Sequence, residues 1–108
     1  MKSTSPLNVL SDFSMDERTV HIHPNDGFDL GLMTTEYVVR LYIGDSTDPD
    51  QIGEAAFAYG KILLKNDVRG GQVELGRKAA EKLNGSRSAV LRFAAGERYG
   101  TLIVNPSN

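Results

Sequence analysis

Cysteine is absent from the 108-residue sequence, which excludes every site that needs a thiol. A thiol nucleophile, a thiolate-bound metal, an iron–sulfur cluster and a disulfide therefore cannot form. Long apolar runs are absent too, both the run of about seven to fifteen residues found in signal peptides and the run of about twenty that spans a bilayer. We expect a cytoplasmic protein with no membrane segment.

Sequence motifs of catalysis are scarce. The chain has no G-x-S-x-G nucleophile elbow, no Walker-type phosphate loop and no dinucleotide-binding G-x-G-x-x-G, and it offers a serine triad only two histidines. The acidic stretch DSTDPD is typical of an exposed loop and lacks the spacing of an EF-hand. The motif content favours a protein that is not an enzyme and holds no cofactor.

Charge is distributed unevenly along the chain. The net charge is −2, but residues 1–58 hold three basic and ten acidic side chains, whereas residues 59–108 hold nine basic and four acidic ones. Halves of opposite charge favour either a face that binds a polyanion or an acid-to-base contact within or between chains. Two halves that are simply solvated would give the same pattern.

One short sequence phrase occurs in two similar copies. AYGKILLKND begins at Ala58 and RYGTLIVNPS begins at Arg98. Each follows a strand-like phrase, VVRLYIGD in the first case and VLRFAAGE in the second, and TVHIHP and QVELGR stand further upstream in the same order. The sequence therefore predicts two related halves, about 18–66 and 60–108, in which the two YG phrases form equivalent scaffold strands.

The repeated phrases have the composition of strands. They are rich in β-branched and aromatic residues and are bounded by Gly, Asp, Asn and Pro. In YVVRLYIGD, alternation places Val39, Leu41 and Ile43 on a core face and leaves the face with Arg40 partly in water.

Helices are predicted to be short. GRKAAEKLNG is the clearest one, because two alanines and a leucine form an apolar stripe before a left-handed stop at Asn84-Gly85. PNDGFDLGL, with two glycines, predicts a single turn. The segment DPDQIGEAAFAYG fits either a helix after Asp50 or a strand, and the repeat favours a strand from about Ala58 onward.

These elements predict a mainly β protein with short helices. Neither half can bury its apolar face alone, so we expect the halves to pair about a pseudo-twofold axis into one small barrel, which also removes exposed strand edges. We assign residues 1–17 to a flexible lead-in and residues 18–108 to this single domain, as a monomer or a homodimer.

Residues 60–106 resemble the AbrB/MazE-like swapped-hairpin DNA-binding domains. The shared order is strand, glycine turn, strand, short helix, strand, turn, strand, and LLKNDVRGGQVELGRKAAEKL also resembles the opening of the B3-like pseudobarrels. The chain has Leu75-Gly76 where a proline usually opens the helix, and GSRSA where glycine-aspartate usually precedes the third strand. The double-psi barrel, which serves enzymes and protein-binding modules alike, is a further architecture with duplicated halves.

The resemblance and the basic second half together predict nucleic-acid binding by a regulatory module. Lys and Arg displace counterions from phosphates, and few aromatic residues stand near them, which favours duplex DNA over single strands. The candidate contacts are Arg69, Arg77, Lys78, Lys82, Arg87 and Arg92. The alternative is an ordinary solvated helix face paired with Glu74 and Glu81.

The acidic first half predicts a second possibility, a protein-interaction adaptor or inhibitor. Its candidate contacts lie in the insertion that distinguishes the first half, at Asp45, Asp48, Asp50 and Glu54.

A third possibility is a barrel enzyme or a binder of a small ligand or metal. His21 and His23 lie two apart in a predicted strand and share one face, and Asp26 or Asp29 could add an oxygen ligand. Paired surface histidines explain the pattern as well, so we assign no metal site.

Overall fold

The computed structural model describes residues 1–45 and 48–107. In chain order these residues form β1 Lys2–Ser3, β2 Leu7–Asp12, β3 Thr19–Ile22, α1 Pro24–Asp29, β4 Glu36–Ile43, β5 Ala58–Leu64, β6 Gln72–Gly76, α2 Arg77–Glu81, β7 Ser88–Ala94 and β8 Gly100–Pro106. Two 3-10 turns, Pro49–Gln51 and Glu54–Ala56, lie between β4 and β5.

Seven of these strands close into one barrel. Their order around it is β7, β2, β6, β3, β5, β4 and β8, and β8 pairs again with β7. The pairs β2 with β6, β3 with β5 and β4 with β8 run parallel, and the other neighbours run antiparallel. The predicted mainly β barrel with short helices is confirmed, and closure gives every barrel strand a partner on both sides.

The barrel is pseudo-symmetric about the pair β3 and β6. These strands run antiparallel, with Val20 opposite Leu75, His21 opposite Glu74 and Ile22 opposite Val73. His21 and Glu74, which align in the sequence repeat, therefore face each other at the centre, and the two flanking valines, which also align, lie opposite residues that align with each other. The next strand on each side is parallel, β5 beside β3 and β2 beside β6. The strand after that is antiparallel, β4 on one side and β7 on the other, and β8 closes the ring between them.

The prediction of a flexible lead-in over 1–17 is wrong for β2. This strand pairs with β6 from Asn8 to Asp12 and with the start of β7, and Leu7 is buried in the core. Because β2 has no counterpart among the repeated phrases, the repeat could not reveal it.

The prediction that the two YG strands are equivalent is also wrong. β5 lies between β3 and β4, whereas β8 lies between β4 and β7. The position in the second half that corresponds to β5 is filled by β2. In the symmetric arrangement, the counterpart of β5 is therefore the N-terminal strand β2 and not the C-terminal strand β8.

The core is formed by alternate strand residues and by the segments that close the barrel ends. Val39, Leu41 and Ile43 of β4 are buried as predicted, and Leu30 after α1 and Leu83 after α2 join the same cluster. Strands β3, β5 and β7 finish at one end of the barrel, the α1 end, and β2, β4, β6 and β8 finish at the other, the α2 end.

Both helices differ in length from their predictions. α1 has six residues rather than one turn, because Pro24 opens it and the His23 ring nitrogen Nδ1 accepts the Asn25 N–H at 3.0 Å as a cap. α2 is only five residues long, and Asn84 (φ 55°) and Gly85 (φ 79°) follow it in the predicted left-handed conformation. Among the residues that the structure describes, neither helix has the length and apolar character to cross a bilayer.

The glycine of each YG phrase permits a close approach. A Cβ at Gly60 would overlap the backbone carbonyl oxygen of Arg18, in the connection that leads into β3, and a Cβ at Gly100 would overlap the ring of Phe93. The first contact is with backbone and the second is with a side chain. Close packing therefore requires glycine in both YG phrases, although the two strands occupy different positions in the barrel.

Candidate functional site

The six predicted DNA contacts do not form one surface. Arg77 and Lys78 lie on α2, Lys82 ends it and Arg87 follows in the connection to β7, where its carbonyl accepts the Val9 N–H at 2.9 Å. These four residues are exposed.

The other two predicted contacts lie apart from α2. Arg69 is in the β5–β6 turn at the α1 end, a turn held to α1 by the Gly71 N–H, which donates to Asp26 Oδ2 at 2.9 Å. Arg92 is half-buried on β7. The structure thus places Arg77, Lys78 and Lys82 together at α2, with Arg87 in the connection that follows, and leaves Arg69 and Arg92 elsewhere.

The exposed cations differ in their pairing. Arg77 pairs with Glu81 one turn away at 3.5 Å. For this one cation, the pairing agrees with the alternative of a solvated helix face whose cations pair with Glu74 and Glu81. Lys78, Lys82 and Arg87 form no ion pair within 4 Å in the described part of the chain. Their charges are therefore available to an external partner.

Acidic residues stand close to these cations. A groove of about 420 Å³ lies between α2 and the β2–β3 connection, and Asp16 and Glu17 line it together with Arg77 and Lys78. Nearby, hydrogen bonds from the Ser14 hydroxyl and then from the Ser14 N–H lower the pKa of Asp12 and favour its charged form. The α2 end therefore carries both signs of charge rather than a uniform basic field.

The four predicted acidic contacts, Asp45, Asp48, Asp50 and Glu54, are all exposed. They belong to the 45–57 segment, of which residues 46 and 47 lie outside the described residues. Its first part is held to the barrel because the Tyr42 hydroxyl donates to the Asp45 carbonyl at 3.2 Å and the buried Asn105 Nδ2 donates to the Gly44 carbonyl at 2.6 Å.

The last part of the 45–57 segment is fixed by Arg40 and Tyr42 on the outer face of β4. The Arg40 guanidinium pairs with Glu54 at 3.0 Å and lies 4.5 Å above the Phe57 ring. The rings of Tyr42 and Phe57 lie 6.0 Å apart. The predicted insertion is thus anchored at both ends. Hydrogen bonds hold its beginning, and cation–π, aromatic and ionic contacts hold its last part.

The acidic segment and the basic helix meet at the α2 end. Asn84 Nδ2, just after α2, donates a hydrogen bond to the Asp45 carboxylate. Ala56 and Lys82 line a common groove of about 310 Å³. Two surfaces that the sequence assigned to alternative functions are therefore neighbours.

The two histidines have separate structural contacts. His21 Nδ1 lies 3.3 Å from Glu74 Oε1 across the β3–β6 pair, and His23 caps α1. Asp26, a suggested oxygen ligand, instead accepts from Gly71. Within residues 1–45 and 48–107, no group of three or more His, Cys, Asp or Glu side chains is placed to hold a metal ion.

Sequence reasoning missed an aromatic surface on the outside of the barrel. Tyr59 and Tyr99, the tyrosines of the two YG phrases, contact each other edge-to-face with ring centroids 5.2 Å apart. Both are exposed, at 62% and 40%, and Val38 on β4 is 45% exposed. We call Val38, Tyr59 and Tyr99 the tyrosine face. The tyrosine shared by both YG phrases was the available signal, but a repeat alone does not distinguish a surface residue from a scaffold residue.

A depression of about 570 Å³ adjoins the tyrosine face at the α1 end. Val38 and Tyr99 form part of its wall, together with the ring of Tyr37. Hydrogen bonding with the Thr34 side chain, and then with the Met33 N–H at 2.7 Å, lowers the pKa of Tyr37. Since these bonds hold the Tyr37 hydroxyl, this part of the wall is well fixed.

Comparison of the chain with protein-family models, with curated proteins and with solved structures finds no match. The resemblance to AbrB/MazE-like and B3-like domains stays a prediction. Function has to be argued from the surfaces themselves.

Proposed function

We propose that the protein is a non-catalytic interaction module that binds a basic region of another protein through the acidic 45–57 segment. The observation that carries this proposal is the anchoring of the segment to Arg40, Tyr42 and Asn105 while its carboxylates stay exposed. A segment whose ends are already held loses little conformational entropy when a partner binds. Exposed charges of one sign also attract a partner of opposite sign and speed its encounter.

Neutralising the segment tests this function. Asp45→Asn, Asp48→Asn and Asp50→Asn together remove three charges but keep the side-chain oxygens that accept hydrogen bonds, so the segment stays folded. We expect a partner captured by the immobilised wild-type protein to bind the triple variant at least about tenfold more weakly at low salt. Raising NaCl from about 0.05 M to about 0.5 M should weaken binding to the wild type more than to the variant.

The matched control neutralises three exposed carboxylates at the opposite, α1 end of the barrel, through Asp29→Asn, Asp67→Asn and Glu97→Gln. This control should bind like the wild type. Equal capture by the wild type and by the 45–57 variant would contradict the proposal, as would an equal loss in both variants.

Binding of duplex DNA is a second candidate function, supported by the exposed Lys78, Lys82 and Arg87, none of which forms an ion pair with another described residue. Such cations release counterions when they contact phosphates. We rank this function second because Asp16 and Glu17 line the same groove as Lys78, which weakens the attraction for a polyanion.

A gel-shift titration with random-sequence duplex tests the second function. Binding should be detectable at low salt, weaken steeply as salt is added and weaken further in the variant Arg77→Glu with Lys82→Glu. The control, Lys65→Glu with Arg98→Glu, makes the same change of charge at the α1 end and should bind like the wild type. No shift at low salt would exclude the function.

A further inference from the structure

The tyrosine face carries aromatic and apolar side chains on the outside of the barrel. Val38 on β4, Tyr59 on β5 and Tyr99 just before β8 lie on the outer surface, where most side chains are polar, and each is at least 40% exposed. Tyrosine buries a large area at little cost in conformational entropy, and aromatic residues are enriched in the centres of protein interfaces. The cluster therefore has the composition of an interface centre.

Four charged side chains beside the tyrosine face form two ion pairs. Lys61, opposite Val38 in the β4–β5 ladder, pairs with Glu36 at 3.4 Å. Arg40, opposite Tyr59, pairs with Glu54 at 3.0 Å. These four charges balance, and Arg98 in the wall of the adjoining depression adds one positive charge, so the rim offers little net attraction to a strongly basic or acidic partner. It matches a partner whose rim is also nearly balanced.

A protruding ring and a hollow lie side by side in this region. Tyr59 is the most exposed member of the face and stands outside the 570 Å³ depression, while its contact partner Tyr99 lines that depression. In a twofold pair, each copy can place its Tyr59 against the other's depression, because an isologous interface applies every contact twice. A protruding ring beside a hollow is the arrangement that such an interface needs.

We propose that the tyrosine face is the interface of a homodimer and that its partner is a second copy of this chain. This inference does not rest on the proposed function, since the charges of Asp45, Asp48 and Asp50 take no part in it. The interface is mainly apolar, so added salt should leave it intact, whereas binding by the acidic segment should weaken with salt. The two proposals can therefore fail independently.

Analytical ultracentrifugation of the full chain, from low micromolar to near-millimolar concentration, tests the dimer. We expect a monomer–dimer equilibrium for the wild type that persists at high salt. Tyr59→Ser should raise the dimer dissociation constant at least about tenfold, equivalent to about 1.4 kcal/mol. The matched control is Phe13→Ser at the α2 end, where the ring is 87% exposed, and it should leave the dissociation constant unchanged.

A wild type that stays monomeric throughout, or a dimer that is indifferent to Tyr59→Ser, would overturn the proposal. Equal effects of Tyr59→Ser and Phe13→Ser would overturn it too. Backbone NMR shifts on dilution give a readout without any variant. They should change at Val38, Tyr59 and Tyr99, and changes confined to another surface would place the interface there and reject this one.

Discussion

Gly60→Ala is expected to destabilise the protein by about 3 kcal/mol or more and to lower Tm by about 10–20 °C. The added methyl group would overlap the Arg18 carbonyl oxygen, and the Leu41 side chain stands on another side at 3.0 Å. A flexible side chain can move away, but the Arg18 carbonyl belongs to a chain that is fixed by the hydrogen bond from the Lys61 N–H at 2.9 Å. The strain must therefore spread to β3 and β5. Thermal and urea denaturation followed by circular dichroism would measure the loss.

The control for this substitution is Gly70→Ala, at a turn where an added Cβ has no neighbour within 4 Å. Its effect should stay within about 1 kcal/mol in either direction. Comparable losses in the two variants would mean that the close approach of β5 to the Arg18 carbonyl is not what requires the glycine.

Removal of residues 1–12 is expected to abolish cooperative folding. β2 fills the space between β6 and β7, so its loss opens the barrel and leaves both neighbours with unpaired backbone groups. It also removes the buried Leu7 side chain from the core. Together these losses are comparable with the whole stability of a small domain, about 5–15 kcal/mol. The truncated chain should show no sigmoidal melting curve and poor dispersion of its amide NMR signals.

Point variants distinguish the contribution of core packing by β2 from the contribution of its backbone pairing. Leu7→Ala should cost about 2–5 kcal/mol, and Asn8→Ala, at the exposed neighbouring position, should change stability by about 0.5 kcal/mol or less. A truncated chain that melts like the wild type would show that the first twelve residues are the loose segment that the sequence alone suggested.

Much of the local structure could be predicted because its signals are local. Alternation in β4 identified Val39, Leu41 and Ile43 as core, and Asn84-Gly85 marked the end of the helix region. β5 begins at Ala58, where the repeat placed it. The lengths of the helices were predicted less well, because a ring nitrogen of His23 caps α1 and no propensity scale includes such a contact.

The candidate surfaces could be predicted only as separate sets of charges. The sequence identified the acidic insertion and the basic helix, but it did not show that Asp45 contacts Asn84 or that Ala56 and Lys82 share a groove. Nor did it show that Arg69 lies at the other end of the barrel from Arg77. Exposed charges carry no pattern that specifies their neighbours, so only the fold reveals which of them act together.

The two YG phrases separate what the sequence determines from what only the tertiary structure determines. By itself the sequence determined that both phrases are strands and that alternating strand residues form an apolar face, because alternation and strand propensity act over a few residues. It also indicated that the two halves combine into a β barrel. Only the tertiary structure decided that β2 takes the place equivalent to β5 and that Tyr59 and Tyr99 meet on the outer surface. Strand order depends on pairing between distant segments, and several orders would satisfy the same alternation, so packing of the whole chain is needed to select one.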